Sequence, residues 1–191
     1  MCRGFSPVGA AHGFTSFLHV FQGKRNLLAR LPDRLRGYSS WLPAGWRIVV
    51  LLDADRDDCR RLKARLENAA ARAGLCTKTA PGLDGGFSVL NRLAVEEFEA
   101  WFFGDVDALR SVYPRLPASL ASKSAYRDPD AIRGGTWETL ERVLQVAGYH
   151  PSGLPKIAAA GRIAGAMDPS VNRSASFRCF VDGLRALCAQ E

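Results

Sequence analysis

Arg47-Ile-Val-Val-Leu-Leu-Asp53-Ala-Asp55-Arg-Asp57-Asp58 is the stretch whose reading decides the fold. Five consecutive apolar residues, Ile48 to Leu52, open on β-branched side chains. The run is too short for a helix of its own and predicts a strand buried on both faces, as in a parallel sheet. It ends abruptly in acid. Asp53 and Asp55 stand two apart at the carboxyl end, so an extended backbone would send both side chains from one face toward one cation. Open α/β sheets bind their ligands at that end of the strands. A solvated turn with a helix cap is the competing reading of the same two residues. Asp57 and Asp58 fit the first turn of the next helix, where carboxylates meet the positive end of its dipole.

Outward from this stretch the pattern is α/β. Downstream, Cys59, Leu62, Leu66, Ala70 and Ala73 step by three and four and predict a helix that Gly74 ends. Leu75 to Thr79 reads as the next short strand, completing a βαβ unit. After the loop Pro81-Gly-Leu-Asp-Gly-Gly86, the segment Phe87 to Val95 begins as a strand and enters a helix. Thr136 to about Ala147, Leu154 to Ala166 and Ser174 to about Leu187 predict three more helices. Upstream, Phe17 to Phe21 reads as a first strand containing His19. A helix follows, with Leu27, Leu28, Leu31 and Leu35 on one side and Arg25, Arg30, Arg34 and Arg36 mostly on the other. Pro32 should kink or restart that helix. Residues 1–15 are rich in Gly, Ser and Ala and are expected to be weakly ordered, leaving 16–191 as a single domain.

Composition narrows the class. With 191 residues, 47% hydrophobic and 24% charged, the chain suits one well-buried domain and not a disordered one. A net charge of +7 and a pI near 9.5 suit a phosphate-bearing partner without requiring one. Five cysteines, with no C-x-x-C pairing, read as reduced thiols of a cytoplasmic protein. No apolar run reaches about 18 residues and Met1 to Ala11 lacks a signal core, so neither membrane span nor export signal is expected.

A second acidic cluster stands at Val95-Glu96-Glu97-Phe98-Glu99-Ala-Trp101-Phe102-Phe103-Gly104-Asp105. On a helix, Val95, Phe102 and Phe103 would surround Glu99, putting a carboxylate in the middle of an apolar face. Such a group must take a proton, pair with a base or bind a cation. A metal or catalytic role and a structural Arg pair both satisfy it. Glu96 reads as a surface residue.

These two stretches together resemble the bacterial domain of unknown function 4276 family (DUF4276), itself similar to the topoisomerase-primase (Toprim) domains of overcoming-lysogenization-defect type nucleases. The resemblance continues through Phe21-Gln-Gly-Lys24, Asp128-Pro-Asp-Ala-Ile-Arg-Gly-Gly-Thr-Trp137 and Met167-Asp-Pro-Ser-Val-Asn-Arg-Ser174, and so covers roughly residues 20–187. It implies a Toprim/Rossmann-like three-layer α/β fold with a small, mostly parallel central sheet and a helical C-terminal half. It further implies that Asp53 and Asp55 hold Mg²⁺ or Mn²⁺, that Glu99 or Glu97 completes the acidic site, and that Lys156 contacts phosphate. A solvated helix lysine is the plainer reading of Lys156. The implied activity is cleavage of nucleic-acid phosphodiesters, in a phage-defence setting with a separate ATPase partner.

The sequence departs from that pattern at one point. Toprim domains begin with a strand followed by a glutamate, and here no Glu precedes Glu67 and no Asp precedes Asp33. That segment reads as replaced or lost, which predicts a two-metal site short of one carboxylate and a weak or inactive nuclease. A non-catalytic nucleic-acid-binding or regulatory subunit is the alternative. A receiver-like or nucleotide-binding domain would suit the acidic strand end but lacks a glycine-rich signature.

Overall fold

The computed structural model describes residues 15–190. The weak order expected over 1–15 therefore falls, but for its last residue, outside the described residues. Strand β1, Ile48–Asp53, pairs in parallel with β2, Val89–Ala94, with Ile48 opposite Val89 and Asp53 opposite Ala94. Between them lies α2, Cys59–Arg72, so the expected strand–acidic turn–helix–strand unit is present. Its second strand comes later than expected. Residues 75–79 contribute a single bridge, Thr77 to Val89. Lys78 N donates to Val89 O at 3.1 Å and Val89 N to Cys76 O at 3.0 Å, and the backbone then turns on itself, Thr77 N donating to Ala80 O and Ala80 N to Thr77 O, both at 3.1 Å, which ends the pairing after one bridge.

Helix α1, Gly23–Trp41, buries Leu27, Leu28, Leu31 and Leu35, the expected stripe. It continues through Pro32 without restarting. Proline removes the N–H that would bond the carbonyl of Leu28, and Arg65 of α2 donates to that carbonyl instead, at 3.4 Å. The Phe17–Phe21 strand does not form; residues 15–20 are exposed and outside any ladder. Phe21 alone packs on the core, and Phe17 stacks on Trp46 at 5.3 Å. An extended segment with almost nothing to bury gains too little to be held in a sheet.

Helices lie on both faces of the strand pair. Leu27, Leu31 and Leu35 of α1 and Leu62 and Leu66 of α2 pack with Val50 and Leu52 on one face. Helix α7, Ala175–Cys188, lies on the other, where its Phe177 meets Ala94 and Leu51. Gly183 lets α7 approach closely: a Cβ there would sit 2.8 Å from Leu90 and 2.9 Å from the Arg92 guanidinium. The remaining helices are α3 (Ala100–Gly104), α4 (Val106–Val112), α5 (Thr136–Val146) and α6 (Lys156–Ala166), with 3-10 turns at Ala118–Ser122 and Pro129–Ala131. They share a second core around Phe103, Leu109, Tyr113, Leu140, Leu144 and Ile163. Among the described residues the architecture is thus mixed α/β, with seven α-helices and a two-stranded parallel sheet. No helix among them is long and apolar enough to cross a membrane.

A buried hydrogen-bond network joins the two cores. Asp130 accepts from Ser174 Oγ (2.7 Å), Ser176 N (2.8 Å) and Ser176 Oγ (3.0 Å), while Trp101 Nε1 donates to Ser176 Oγ at 2.8 Å. Asn172 Nδ2 donates to Trp101 O, and Asn172 Oδ1 accepts from Ser174 N. The segments around Trp101, Asp130 and Asn172 are distant in sequence and fold into one seam. This seam fixes α3, and with it the residue that precedes α3, Glu99.

Candidate functional site

The site forms where β1 ends. Ala54 N donates to Ala94 O at 2.8 Å, extending the ladder one step, and Asp55 then pairs antiparallel with Glu96, Asp55 N donating to Glu96 O at 2.7 Å. Both residues have left-handed backbones, Asp55 at φ 49° and Glu96 at φ 61°. That region is costly for side chains other than glycine, and Asp tolerates it better than Glu. The crossing lays residues 96–99 against the end of β1. It also breaks the strand's alternation just where the second aspartate stands.

Asp53 ends β1 on the face of Leu51. Its Oδ1 is buried and has no hydrogen-bond partner. Burial pushes its carboxyl up to about 7, and repulsion from Glu99, Asp55 and Glu97 adds to this while Lys156 opposes it. Glu99 is buried, 6% exposed, and forms an ion pair with Lys156 Nζ at 3.1 Å. It is not in mid-helix as expected, because α3 starts one residue later at Ala100. Its burial was expected, and its partner is a lysine and not an arginine. Lys156 is the first residue of α6, and its ammonium also lies 4.8 Å from the centre of the Trp137 ring. It is therefore engaged with the acidic pocket, unlike a solvated helix lysine, though about half of its side chain remains open to solvent.

Asp55, the other carboxylate expected at the cation, is held by a lysine. Lys24, in the first turn of α1, bonds Ala54 O at 2.9 Å, Asp55 Oδ2 at 2.7 Å and Asp57 Oδ2 at 2.6 Å. An ammonium thus holds Asp55 on the α1 side. Burial acts to lower the Lys24 pKa, but bonding to Asp55 and Asp57 outweighs it and raises it overall. Asp57 is held below the usual carboxylate range by its bond to Lys24. Asp58 caps α2, accepting from Arg61 N at 2.8 Å, as its place in the first turn suggested.

Glu97 is near the pocket but has a structural task. Its Oε2 accepts from Thr136 N, Thr136 Oγ and Trp137 N at 2.8–2.9 Å and so closes the N-terminus of α5. Burial works to raise its pKa, yet the bonds from Trp137 and Thr136 win and lower it. The cap of α5 is therefore Glu97, 39 residues upstream, with Thr136 donating to it instead of capping the helix itself.

The structure thus assembles Asp53, Glu99 and Lys156, with Glu97 alongside, and sends Asp55 to Lys24. Among the described residues no three of His, Cys, Asp and Glu gather in a metal-ligating cluster. Asp53 and Glu99 still offer hard oxygen donors, and the unpartnered Oδ1 of Asp53 is the kind of atom a cation satisfies. That set suits Mg²⁺ or Mn²⁺, which keep most of their waters and need only one or two protein carboxylates. Lys24 and the capping role of Glu97 escaped the sequence reading; no local pattern links Lys24 to residues 30 positions on.

A mixed α/β chain with a carboxylate–lysine cluster at the carboxyl end of a parallel strand pair is the class these observations define. The chain belongs to the family described as domain of unknown function (DUF4276), whose model matches residues 9–185. No curated protein and no solved structure matches it.

Proposed function

We propose that this chain is a Toprim-like protein whose Asp53–Glu99 pocket binds Mg²⁺ or Mn²⁺ and acts on nucleic-acid phosphodiesters, in a defence system with a separate ATPase. The observation that carries the reading is the buried, unpartnered Oδ1 of Asp53 beside Glu99, at the strand end where α/β sheets place ligands. Helices on both faces of a parallel pair support the three-layer part of it. Asp53 and Glu99 would hold the cation, which when bound neutralises charge developing on a phosphate and activates water. Lys156, anchored by Glu99 and half open to solvent, would meet a phosphate oxygen as a point charge. Glu97 would act only through α5, whose start it holds.

One observation favours a second reading. Asp55 is taken by Lys24, which leaves Asp53 and Glu99 as one carboxylate pair, short of a two-ion site. On that reading the chain is a non-catalytic nucleic-acid-binding or regulatory subunit. The test is incubation of the purified chain with Mg²⁺ or Mn²⁺ and plasmid DNA or RNA, beside an Asp53→Ala/Glu99→Ala variant. Slow cleavage lost in the variant supports the first reading. Binding without cleavage supports the second. Neither binding nor cleavage would overturn both.

A further inference from the structure

Helix α1 carries more than the leucine stripe it buries. Arg30, Arg34, Tyr38 and Trp41 recur at four, four and three residues and so form a second stripe along the helix. A cavity of about 500 Å³ opens on it, lined by Arg30, Asp33, Arg34, Gly37, Tyr38 and Trp41. A further cavity of about 220 Å³ adjoins it, sharing Arg30 and Arg34 and reaching Gln22 and His19 toward the N-terminus of the helix. Gly37 leaves the floor open, since a Cβ there would meet nothing within 4 Å. The two cavities make one groove that begins beside the first turn of α1. That turn is tied by Lys24 to the acidic turn at Asp55 and Asp57.

The chemistry of the groove is uneven along its length in a consistent way. Arg30 and Arg34 are exposed and enter no ion pair among the described residues, and Asp33 is neutralised by Arg36. Beyond them Trp41 is 58% exposed, its ring edge-on to Tyr38 at 5.4 Å, and His19 lies 6.2 Å from Tyr38. Unpaired guanidinium groups followed by open aromatic faces suit a chain of phosphates bearing bases that can unstack onto rings. A duplex, whose bases are stacked inside, could use the arginines but not the rings.

We propose that this α1 groove is the docking track for single-stranded nucleic acid; the proposal rests on the nucleic-acid reading above and adds the strand type and the surface that binds it. Two phosphates are held by Arg30 and Arg34, and at least one base stacks on Trp41. The track spans about 28 Å, the length of a 19-residue helix at about 1.5 Å per residue.

The test is fluorescence anisotropy with fluorescein-labelled oligo-dT and oligo-U and a duplex of equal length, over a range of salt, on full-length protein whose fold is checked by circular dichroism. Arg30→Ala/Arg34→Ala should flatten the slope of log affinity against log salt by about 1.4, since each single-strand phosphate contributes ~0.7. Trp41→Ala should weaken oligo-dT binding about tenfold, and Trp41→Phe, which keeps a ring, within about twofold. An Arg142→Ala/Arg178→Ala control loses the same charge from α5 and α7 and should leave the Trp41-dependent part unchanged. If the α1 variants bind like this control, the track is overturned while the wider reading stands. Equal affinity for the duplex overturns the single-strand assignment, and absence of all binding overturns both readings together.

Discussion

Asp53 is the residue on which the proposed chemistry turns. Its carboxyl titrates near 3.8 in an unfolded chain and near 7 in the folded one, where burial and Glu99 disfavour the charge. The folded state therefore keeps a proton through a range where the unfolded state has lost it. Stability from this group is complete below about pH 4 and falls as pH rises through 7. Asp53→Asn should remove that fall: its melting temperature should exceed that of the wild type at pH 8 and match it near pH 4. Parallel melting curves for the two proteins between pH 5 and 8 would show that Asp53 is not held as described. Lys24 gives a second residue-scale prediction. In Lys24→Met the Asp57 carboxyl should return upward to the ordinary range, because the bond that lowers it is gone; carbon-detected NMR titration reads this directly.

Among the elements, α5 and α3 depend on contacts made far away in sequence. Glu97→Ala strips three donors at the start of α5 of their acceptor, at a cost of about 1–3 kcal/mol. At about 2–4 °C per kcal/mol for a chain of this size, the melting temperature should fall by several degrees. Gly104→Ala should do at least as much, because a Cβ there would lie 2.0 Å from Asn172 Oδ1 in the seam that fixes α3. Gly37→Ala, in mid-helix with open space around it, should instead stabilise by about 0.5–1 kcal/mol. If both glycine changes lower the melting temperature equally, the packing account of α3 is wrong. These elements also mark what sequence alone can reveal. The β1 run, the α2 and α7 boundaries and the leucine stripe of α1 were legible, because each rests on local periodicity and a capping residue such as Asp58 or Ser174. The start of α3, the role of Glu97 and the turn at 77–80 were not, since each is decided by partners dozens of residues away or by a local turn that outcompetes a ladder. Asp53 and Asp55 were given one role, because a spacing of two implies one face only while the backbone stays extended. The left-handed φ of Asp55 ends that condition.

At the scale of the whole molecule, the +7 charge and the acidic cluster act in opposite senses on a phosphate, the surface attracting it and the cluster repelling it unless the proposed cation is bound. Nucleic-acid binding should therefore weaken as salt rises and strengthen with Mn²⁺, and affinity indifferent to both would contradict the proposed function. Cleavage, with one carboxylate pair, should be weak; loss of a general acid or base typically costs ~10²–10⁴-fold in rate. The most direct test of the central claim is Mn²⁺ binding followed by electron paramagnetic resonance in the wild type and in Asp53→Asn, Glu99→Gln and Asp55→Asn. The account predicts one bound ion in the wild type, its loss in Asp53→Asn and Glu99→Gln, and its retention in Asp55→Asn, whose carboxylate belongs to Lys24. Binding that survives without Asp53 and Glu99, or that disappears with Asp55, would contradict it.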